Sequence, residues 1–455
     1  MNSRFVAVLM SLIGAAGPSL AAEEKVTFNK HIAPILFNHC ASCHRPGEVA
    51  PFSLLTYKDA AKHAEQLVEA TAKRVMPPWK AEPGFGEFRD SRILAKNELE
   101  LLSAWSKAGA PEGDFKDLPP TPKFPEGWPL GKPDMVVKMA KPFEVPAEGR
   151  DQIRVVPLNL SLPEEKVVTA VDFRPGNRLV VHHALVVVDN VGLMRDRGSP
   201  MAKGDDAPRP KGPGGRGAIG GLLQGRNGGE IITLLGAWVP GSTPQFLSDG
   251  YGIRVAKDAK VVLQMHYHPV GKAESDQSEV ALYFAKKPDV KSMHGIVLAG
   301  LPLMIPPGEK RYKVATSVNL PVDVTIHTIS PHMHQVGREM KVTATLPDGK
   351  TQPLVWIKDW DWNWQGRYTF KEPVSLPKGT KIDLEAYYDN SSDNPGNPNN
   401  PPKLVKFGEQ TSDEMCLCFM QVTTAKDSDV NTLRLSIIQQ LIQGMGFGGF
   451  VPKKQ

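Results

Sequence analysis

The sequence predicts a multidomain protein in which a small all-α domain is followed by two all-β antiparallel sandwich (jelly-roll-like) domains. Apolar residues recur at helical spacing up to about residue 114, and a proline-rich stretch follows. Beyond it, short runs of β-forming residues are separated by turn residues. A chain of 455 residues is also too long for one ordinary core. We therefore divide the chain into an N-terminal segment (residues 1–21), a helical domain (23–114), a proline-rich linker (115–133) and two β-sandwich domains (134–290 and 291–455).

The N-terminus has the pattern of an export signal. A positive start at residues 1–4 precedes an apolar run at residues 5–16, and small residues at positions 19–21 flank a cleavage point. We predict a signal peptide over residues 1–21, and hence a periplasmic or secreted protein without stable membrane insertion. The alternative is that the apolar run remains as an N-terminal anchor.

Three helices are predicted in residues 23–114. Ile32, Ile35 and Leu36 share one face, residues 57–74 form an alanine-rich run, and a third helix runs from about Ala95 to a capping glycine at Gly109. The seven prolines of residues 111–133 then predict a linker.

The rest of the chain predicts strands. β-rich runs occupy residues 153–160, 178–188, 261–267, 280–285 and 341–346, and we place the boundary between the sandwiches near residues 286–300. Glycine and proline dominate residues 192–229, which predicts a mobile loop. A net charge of +5 without a dense basic block argues against nucleic acid as a partner.

A cysteine motif near the N-terminus predicts one covalent haem c. Cys40 and Cys43 have the spacing that two thioether bonds to one porphyrin need, and His44 follows as the proximal iron ligand. The alternatives are a dithiol redox pair and half of a zinc site. A zinc site would need a second ligand pair nearby, and a redox dithiol would need a βαβ setting. The flanks here are helical.

Met76 is the predicted sixth haem ligand. It stands in a stiff loop before Pro77 and Pro78, and a thioether there would raise the reduction potential. The alternatives are three histidines whose ligation would lower the potential: His31, His39 and His63. Residues 23–114 thus resemble a small cytochrome c domain.

Seven of the eight histidines after residue 180 gather in three places: His182 with His183, His266 with His268, and His327 with His332 and His334. Residues i and i+2 of a strand face the same side, so the second and third clusters can each present two imidazoles to one point. Adjacent His182 and His183 would face opposite sides unless the backbone twists. Such clusters predict metal ligands.

Four motifs in order carry a family resemblance: His182-His183, Gln264-Met265-His266-Tyr267, the sequence HMHQVG at residues 332–337, and SDEMC at residues 412–416. Through them, residues 128 to about 425 resemble the copper type II, ascorbate-dependent monooxygenases, the family of peptidylglycine α-hydroxylating monooxygenase and dopamine β-monooxygenase. The resemblance implies two stacked antiparallel β-sandwiches, each holding one copper ion, on either side of a solvent cleft.

The resemblance also implies the ligand sets. The first copper would be bound by His182, His183 and His266, and the second, catalytic copper by His332, His334 and Met415. Three imidazoles suit electron transfer, whereas a thioether favours Cu(I), the state that reacts with dioxygen. The roles of His268 and His327 stay open.

Two features depart from the family. The disulfides that cross-link the sandwich domains of the animal enzymes are missing, since Cys416 and Cys418 are the only cysteines in this region of the sequence. Three indoles stand at alternate positions, Trp360, Trp362 and Trp364, and we interpret them as core of the second sandwich rather than as a substrate wall. The residues that bind substrate in the animal enzymes have no match in this sequence, so the resemblance does not imply the substrates of those enzymes.

These observations predict a periplasmic copper monooxygenase that hydroxylates a small organic substrate with O2. An external electron donor would supply electrons through the fused haem, because each turnover needs two electrons. The alternative is a non-catalytic electron-transfer or copper-binding protein. A third possibility is that the haem senses redox state or accepts electrons instead of feeding the copper.

Overall fold

The structure is a computed structural model that describes residues 25–149, 151–160, 162–189, 232–408 and 410–445. The predicted signal peptide (residues 1–21) and the predicted mobile loop (residues 192–229) lie outside the described residues. No helix among the described residues is long and apolar enough to span a bilayer. The described chain is mostly β, with sheets that are almost entirely antiparallel, as predicted.

The helices of the N-terminal region pack around Trp105. A π-helical turn at Phe28–Ile32 leads into four α-helices: α1 (Ala33–His39), α2 (Tyr57–Lys62), α3 (Ala64–Ala72) and α4 (Lys96–Lys107). The alanine-rich run is therefore two helices that meet at His63 rather than one. Gly109 has φ +80°, the left-handed conformation expected of a capping glycine. Residues 111–133 contain only a 3-10 turn, Phe115–Asp117.

The first sandwich has eleven strands: β1 (Met135–Lys138), β2 (Phe143–Val145), β3 (Gln152–Pro157), β4 (Lys166–Arg174), β5 (Val181–Asp189), β6 (Ile232–Trp238), β7 (Tyr251–Val255), β8 (Lys260–Tyr267), β9 (Glu274–Asp276), β10 (Glu279–Phe284) and β11 (Lys291–Ser292). They form one sheet in the order β1-β10-β4-β7-β11, a second in the order β3-β8-β5-β6, and the pair β2-β9. A continuous apolar core lies between the two larger sheets.

The second sandwich has ten strands and a C-terminal helix: β12 (His294–Ala299), β13 (Met304–Ile305), β14 (Tyr312–Asn319), β15 (Val324–His332), β16 (Gly337–Thr345), β17 (Thr351–Ile357), β18 (Tyr368–Leu376), β19 (Lys381–Tyr388), β20 (Val405–Lys406), β21 (Leu417–Thr424) and α5 (Asp429–Gly444). Its sheets are β12-β21-β15-β18, β14-β19-β16-β17 and β13-β20. Every strand run predicted from the sequence contains an observed strand.

An arm of residues 77–94, between α3 and α4, attaches the helical region to the second sandwich. Ala81 and Phe88 form β-bridges with Ile357 and Phe370, and the Glu82 amide donates to the Trp356 carbonyl at 2.8 Å. The helical region also contacts the first sandwich. The cysteine motif, both sandwiches and the arm therefore meet at one place in the fold.

Candidate metal centres

The first histidine set forms where a β-bulge interrupts β5. The pairing of β5 with β8 shifts between Val181 and His183, so His182 is the extra residue on its strand. This bulge allows the adjacent His182 and His183 to turn toward the same point as His266. Their ligand nitrogens all lie within 4.8 Å of one another. The structure thus supplies the backbone twist that the sequence left open.

Asp151 fixes the orientation of His266. Its carboxylate accepts hydrogen bonds from His266 Nε2 at 2.7 Å, from His268 Nδ1 at 2.7 Å, and from the Thr411 hydroxyl of the second sandwich. Because Nε2 of His266 carries the hydrogen, its Nδ1 keeps a lone pair for a metal. Burial by itself would raise the pKa of Asp151, but the hydrogen bonds from His266 and Thr411 outweigh it and hold that pKa well below its usual range.

His268 and His327 lie outside both ligand sets. The side chain of His268 is 62% exposed and binds the second oxygen of Asp151, so it acts on His266 through that carboxylate. Both ring nitrogens of His327 form hydrogen bonds with hydroxyl groups, Nδ1 with Ser248 Oγ at 3.2 Å and Nε2 with Thr423 Oγ1 at 3.1 Å. Its contacts are those of a buried structural histidine.

The second histidine pair sits at the end of β15. His332 Nδ1 donates to Gln365 Oε1 at 2.5 Å, and the Gln365 amide is itself oriented by a 3.1 Å bond to the Trp362 carbonyl. His334 Nδ1 donates to the Asp413 carbonyl at 3.2 Å. Both rings therefore keep an Nε2 lone pair, and they stand perpendicular with centroids 5.2 Å apart. This pattern, with the far nitrogen bonded to protein, is typical of metal-ligating histidines.

Glu414 holds the backbone around this pair. Its buried carboxyl group accepts from the His334 amide, from the Met415 amide at 2.8 Å and from the Val336 amide at 3.1 Å. Desolvation raises the pKa of Glu414 to about 8, although these hydrogen bonds act to lower it. The Tyr388 hydroxyl donates to the Met415 carbonyl at 2.9 Å. Met415 lines the same cavity as His332 and His334.

One indole lies between the two ligand sets. Trp362 stacks on His182 with centroids 4.3 Å apart and planes 14° apart, and it meets His334 edge-on at 5.6 Å. Trp360 is buried and donates to the His334 carbonyl at 3.1 Å, while Trp364 lines the cavity. The interpretation of the three indoles as sandwich core is therefore wrong for Trp362 and Trp364. They belong to a loop, where strand alternation does not apply.

The ligand sets share a cavity of about 690 Å³ between the sandwiches. His183, His266, His332, His334 and Met415 all line it. The resemblance implied an open cleft with one copper ion on each side, and here Trp362 contacts histidines of both sets. The donor chemistry fits copper, since imidazoles with free lone pairs and one thioether are copper ligands.

The cysteine motif, the predicted haem attachment site, lies in a tight turn directly after α1. The amides of Cys43 and His44 both donate to the Cys40 carbonyl, at 3.1 and 2.9 Å, which closes a tight turn after α1. Cys40 and Cys43 are free thiols. His44 Nδ1 donates to the Phe52 carbonyl at 3.1 Å, so Nε2 keeps its lone pair for iron. Burial lowers the pKa of His44, which keeps the ring neutral.

The candidates for the sixth haem ligand are distributed around this turn. His63 stacks on Phe52 with centroids 3.9 Å apart, and Phe52 in turn lies 4.8 Å from the His44 ring. Met76 is half-buried after α3, and its amide donates to the Ala70 carbonyl at 3.1 Å. Met76 stays the prediction, and His63, which contacts Phe52 as His44 does, stays an alternative. His31 accepts from the Thr27 amide, and His39 contacts Glu98.

The motif also lies against the cavity wall. A β-carbon placed on Gly241 would lie 3.9 Å from Cys43 Sγ and 3.9 Å from a ring carbon of Trp364, so the two side chains flank this glycine. Glu48, in the loop after the motif, forms a 2.8 Å ion pair with Arg178, four residues before His182. Only the tertiary structure reveals this contact.

The metal-free protein is expected to lose stability in acid. Desolvation lowers the pKa of His182 to about 3 and that of His332 to about 4, against 6.5 in an unfolded chain. As pH falls through 6.5, the unfolded chain therefore binds protons that the folded chain does not, and the free energy of unfolding decreases down to about pH 4.

Two carboxyl groups with raised pKa, Asp172 and Glu414, act in the opposite sense. Seven histidines with lowered pKa outnumber them: His44, His182, His183, His294, His327, His332 and His334. Urea unfolding of metal-free and copper-loaded protein between pH 6.5 and pH 4 measures the effect. A flat profile for the metal-free protein would contradict it.

Comparison with known proteins agrees with the geometry of the second sandwich. A family model described as copper type II ascorbate-dependent monooxygenase, C-terminal domain, matches residues 293–431. Similar solved chains include PNGF-II in a P21 crystal, with 9% identity, 63% of this chain and 65% of that chain covered, and a TM-score of 0.27. A protein of infectious bursal disease virus, Gx strain, has 10% identity, 65% and 72% coverage, and a TM-score of 0.16.

The chain spans about 65% of the length of the PNGF-II chain, and similarity at these TM-scores supports no inference. The family match does support an inference, because the matched segment contains His332, His334 and Met415. Residues 293–431, which form most of the second sandwich, are therefore similar to the C-terminal domain of the copper type II ascorbate-dependent monooxygenases.

Proposed function

We propose that this protein is an exported, periplasmic monooxygenase that hydroxylates a small organic substrate with O2 and receives electrons through a haem c fused in the same chain. The observation that carries the proposal is the meeting of both histidine sets around Trp362, with the cysteine motif against the same cavity. Such an arrangement brings an electron entry point, two candidate metal centres and a substrate-sized space together.

Six side chains would bind two copper ions. His182, His183 and His266 would hold the first, and His332, His334 and Met415 would hold the second. Bound copper supplies one-electron redox chemistry and the reaction with dioxygen.

The remaining residues orient these ligands and shield the site. Gln365 and the Asp413 carbonyl fix which nitrogen of His332 and His334 faces the cavity, and Asp151 does the same for His266. The cavity wall combines these groups with aliphatic side chains such as Leu185 and Leu417. An apolar wall limits water at the site, which protects reactive species from side reactions.

The haem would be attached to Cys40 and Cys43, with His44 and Met76 as axial ligands. Cys43 and Trp364 both lie beside Gly241, and Trp362 stacks on His182, so the electron would pass from the haem toward His182 through this part of the wall. An external donor would reduce the haem from the solvent side. Export rests on the signal pattern of residues 1–21 and on the need to attach a covalent haem outside the cytoplasm.

Exchange of Met415 for leucine tests the proposal. Met415→Leu keeps the volume of the side chain but removes the thioether, so we expect the protein to fold and to lose at least about tenfold in reductant-dependent oxygen uptake. Met420→Leu is the matched control, because Met420 is a second buried methionine on the cavity wall. Its uptake should remain at the wild-type level.

Metal analysis of the same proteins completes the experiment. We expect one haem and two copper ions per wild-type chain, with uptake measured against a panel of small organic compounds. Uptake that survives Met415→Leu, or copper below one per chain, would contradict the monooxygenase assignment. Two copper ions and one haem without uptake on any compound would favour the electron-transfer alternative.

A further inference from the structure

One indole contacts candidate ligands from both sandwiches. Trp362 stacks on His182 of the first set, with ring centroids 4.3 Å apart and planes 14° apart, and meets His266 of that set at 6.1 Å and 60°. It also meets His334 of the second set edge-on, at 5.6 Å and 82°. Among the described residues, no other aromatic ring has contacts of this kind with both sets. The two sets therefore share one aromatic neighbour.

The residues on each side of Trp362 bond the second set. The Trp362 carbonyl accepts from Gln365 Nε2 at 3.1 Å, and Gln365 Oε1 accepts in turn from His332 Nδ1. Two residues before the indole, buried Trp360 donates its ring N–H to the His334 carbonyl at 3.1 Å. The loop that carries Trp362 is thus attached to both histidines of this set.

The arm of residues 77–94 holds the same loop from another direction. Buried Lys80 places its Nζ 3.1 Å from the Asp359 carboxylate and 3.9 Å from that of Asp361. The Asp361 carbonyl accepts from the Trp364 amide at 2.9 Å, which closes a turn around Trp362. Because the loop is anchored before, within and after this turn, the indole has a defined position relative to both sets.

Trp362 lies beside the cavity rather than on its wall. The wall of the cavity of about 690 Å³ includes His183, His266, His332 and His334 but, within the part of the chain that the structure describes, neither His182 nor Trp362. A molecule that occupies the cavity would therefore leave the contacts from His182 through Trp362 to His334 intact.

These contacts matter because one copper ion changes its charge by a single electron, whereas each hydroxylation consumes two. One electron must therefore move from the first site to the second in every turnover. Electronic coupling between two sites decreases steeply with the gaps between the groups that connect them. Stacked and edge-on rings leave small gaps, since their π-systems are in van der Waals contact. The indole thus connects the two sites better than solvent does.

We propose that Trp362 is the route by which one electron passes from the copper ion of the first set to the copper ion of the second. The step oxidises the first ion from Cu(I) to Cu(II) and reduces the second from Cu(II) to Cu(I). The indole ends the step unchanged, and no bond forms or breaks. The proposal rests on the two copper ions of the proposed function but not on hydroxylation.

The rate of electron transfer between the two sites tests the proposal in the full, oxidised, copper-loaded chain, without substrate or dioxygen. Pulse radiolysis in formate buffer generates carbon dioxide radical anions, which deliver less than one electron per chain. Rapid-freeze electron paramagnetic resonance then follows the Cu(II) signals of both sites. Relaxation of these signals at a rate independent of protein concentration measures transfer within the chain.

Two substitutions of Trp362 separate the aromatic ring from its volume. Trp362→Leu leaves a gap beside the histidines, so we expect transfer at least about tenfold slower than in the wild type. Trp362→Phe keeps a ring that can stack on His182 and should stay within about threefold of the wild-type rate. Trp356→Leu is the control, because it removes an indole of the same sandwich whose ring contacts Lys341 and Lys358. It should transfer the electron at the wild-type rate.

Equal rates in the wild type and Trp362→Leu would overturn the proposal, and so would equal slowing by leucine and phenylalanine. Loss of a copper ion from Trp362→Leu would also overturn it, because Trp362 would then only support the ligands. The same holds for a wild type with fewer than two copper ions or without transfer between them. Transfer that depends on Trp362 in a chain without oxygen uptake would support the route and contradict the monooxygenase function.

Discussion

Replacement of Glu414 by leucine is expected to lower the free energy of unfolding by about 3 kcal/mol or more. Leucine has a similar volume but no acceptor, and the substitution leaves the amides of His334, Val336 and Met415 buried without partners. Each unsatisfied buried group costs about 1–3 kcal/mol. Urea unfolding of the metal-free protein measures the loss.

The same change should also release the second copper ion, because Glu414 fixes the backbone of His334 and Met415. Glu385→Leu is the control, since Glu385 is a partly exposed carboxylate of the same sandwich that pairs with Lys313. It should cost less than about 1 kcal/mol. If Glu414→Leu has the same free energy of unfolding as wild type, the three amides find other acceptors. That result would contradict the role of Glu414 in holding the backbone of the site.

Exchange of Asp151 for asparagine is expected to weaken copper binding at the first site by about tenfold to a hundredfold. Partners that orient ligating histidines contribute this much to metal affinity. Asparagine offers one oxygen where Asp151 offers two, so it cannot accept from His266, His268 and Thr411 together. Copper titration followed by electron paramagnetic resonance separates the first site from the second.

Asp134→Asn provides the control for Asp151→Asn. Asp134 is a carboxylate of the first sandwich that pairs with Lys286, away from the histidines. Its replacement should leave both copper affinities unchanged. An equal loss of copper affinity at both sites in Asp151→Asn would contradict an effect on His266 alone. It would indicate a general effect on the packing of the two sandwiches, because Thr411 of the second sandwich bonds Asp151.

Strand alternation in the sequence located the histidine clusters but did not explain how they converge. His332 is the last residue of β15 and His334 lies beyond it, so the hydrogen bonds that they donate to Gln365, Asp413 and Glu414, rather than alternation, bring the rings together. Likewise His268 follows the end of β8 and meets His266 only through Asp151.

Several residues of the site gave no signal in the sequence. Asp151 and Thr411 are 260 positions apart and contribute single polar side chains with no local pattern. Gln365 follows the tryptophan run, and Glu414 stood within a matched motif without an assigned role.

By itself, the sequence determined the order of the domains, the helices and strands, the cysteine motif and the histidine and methionine ligand candidates. These features depend on local periodicity and on residue spacing, which a linear chain displays directly. The tertiary structure decided that both ligand sets line one cavity, that Cys43 lies beside Gly241 of its wall, and that Trp362 contacts histidines of both sets. Those relations depend on contacts between residues far apart in the chain. Burial, which makes a carboxyl group such as that of Glu414 energetically important, arises only when the chain folds.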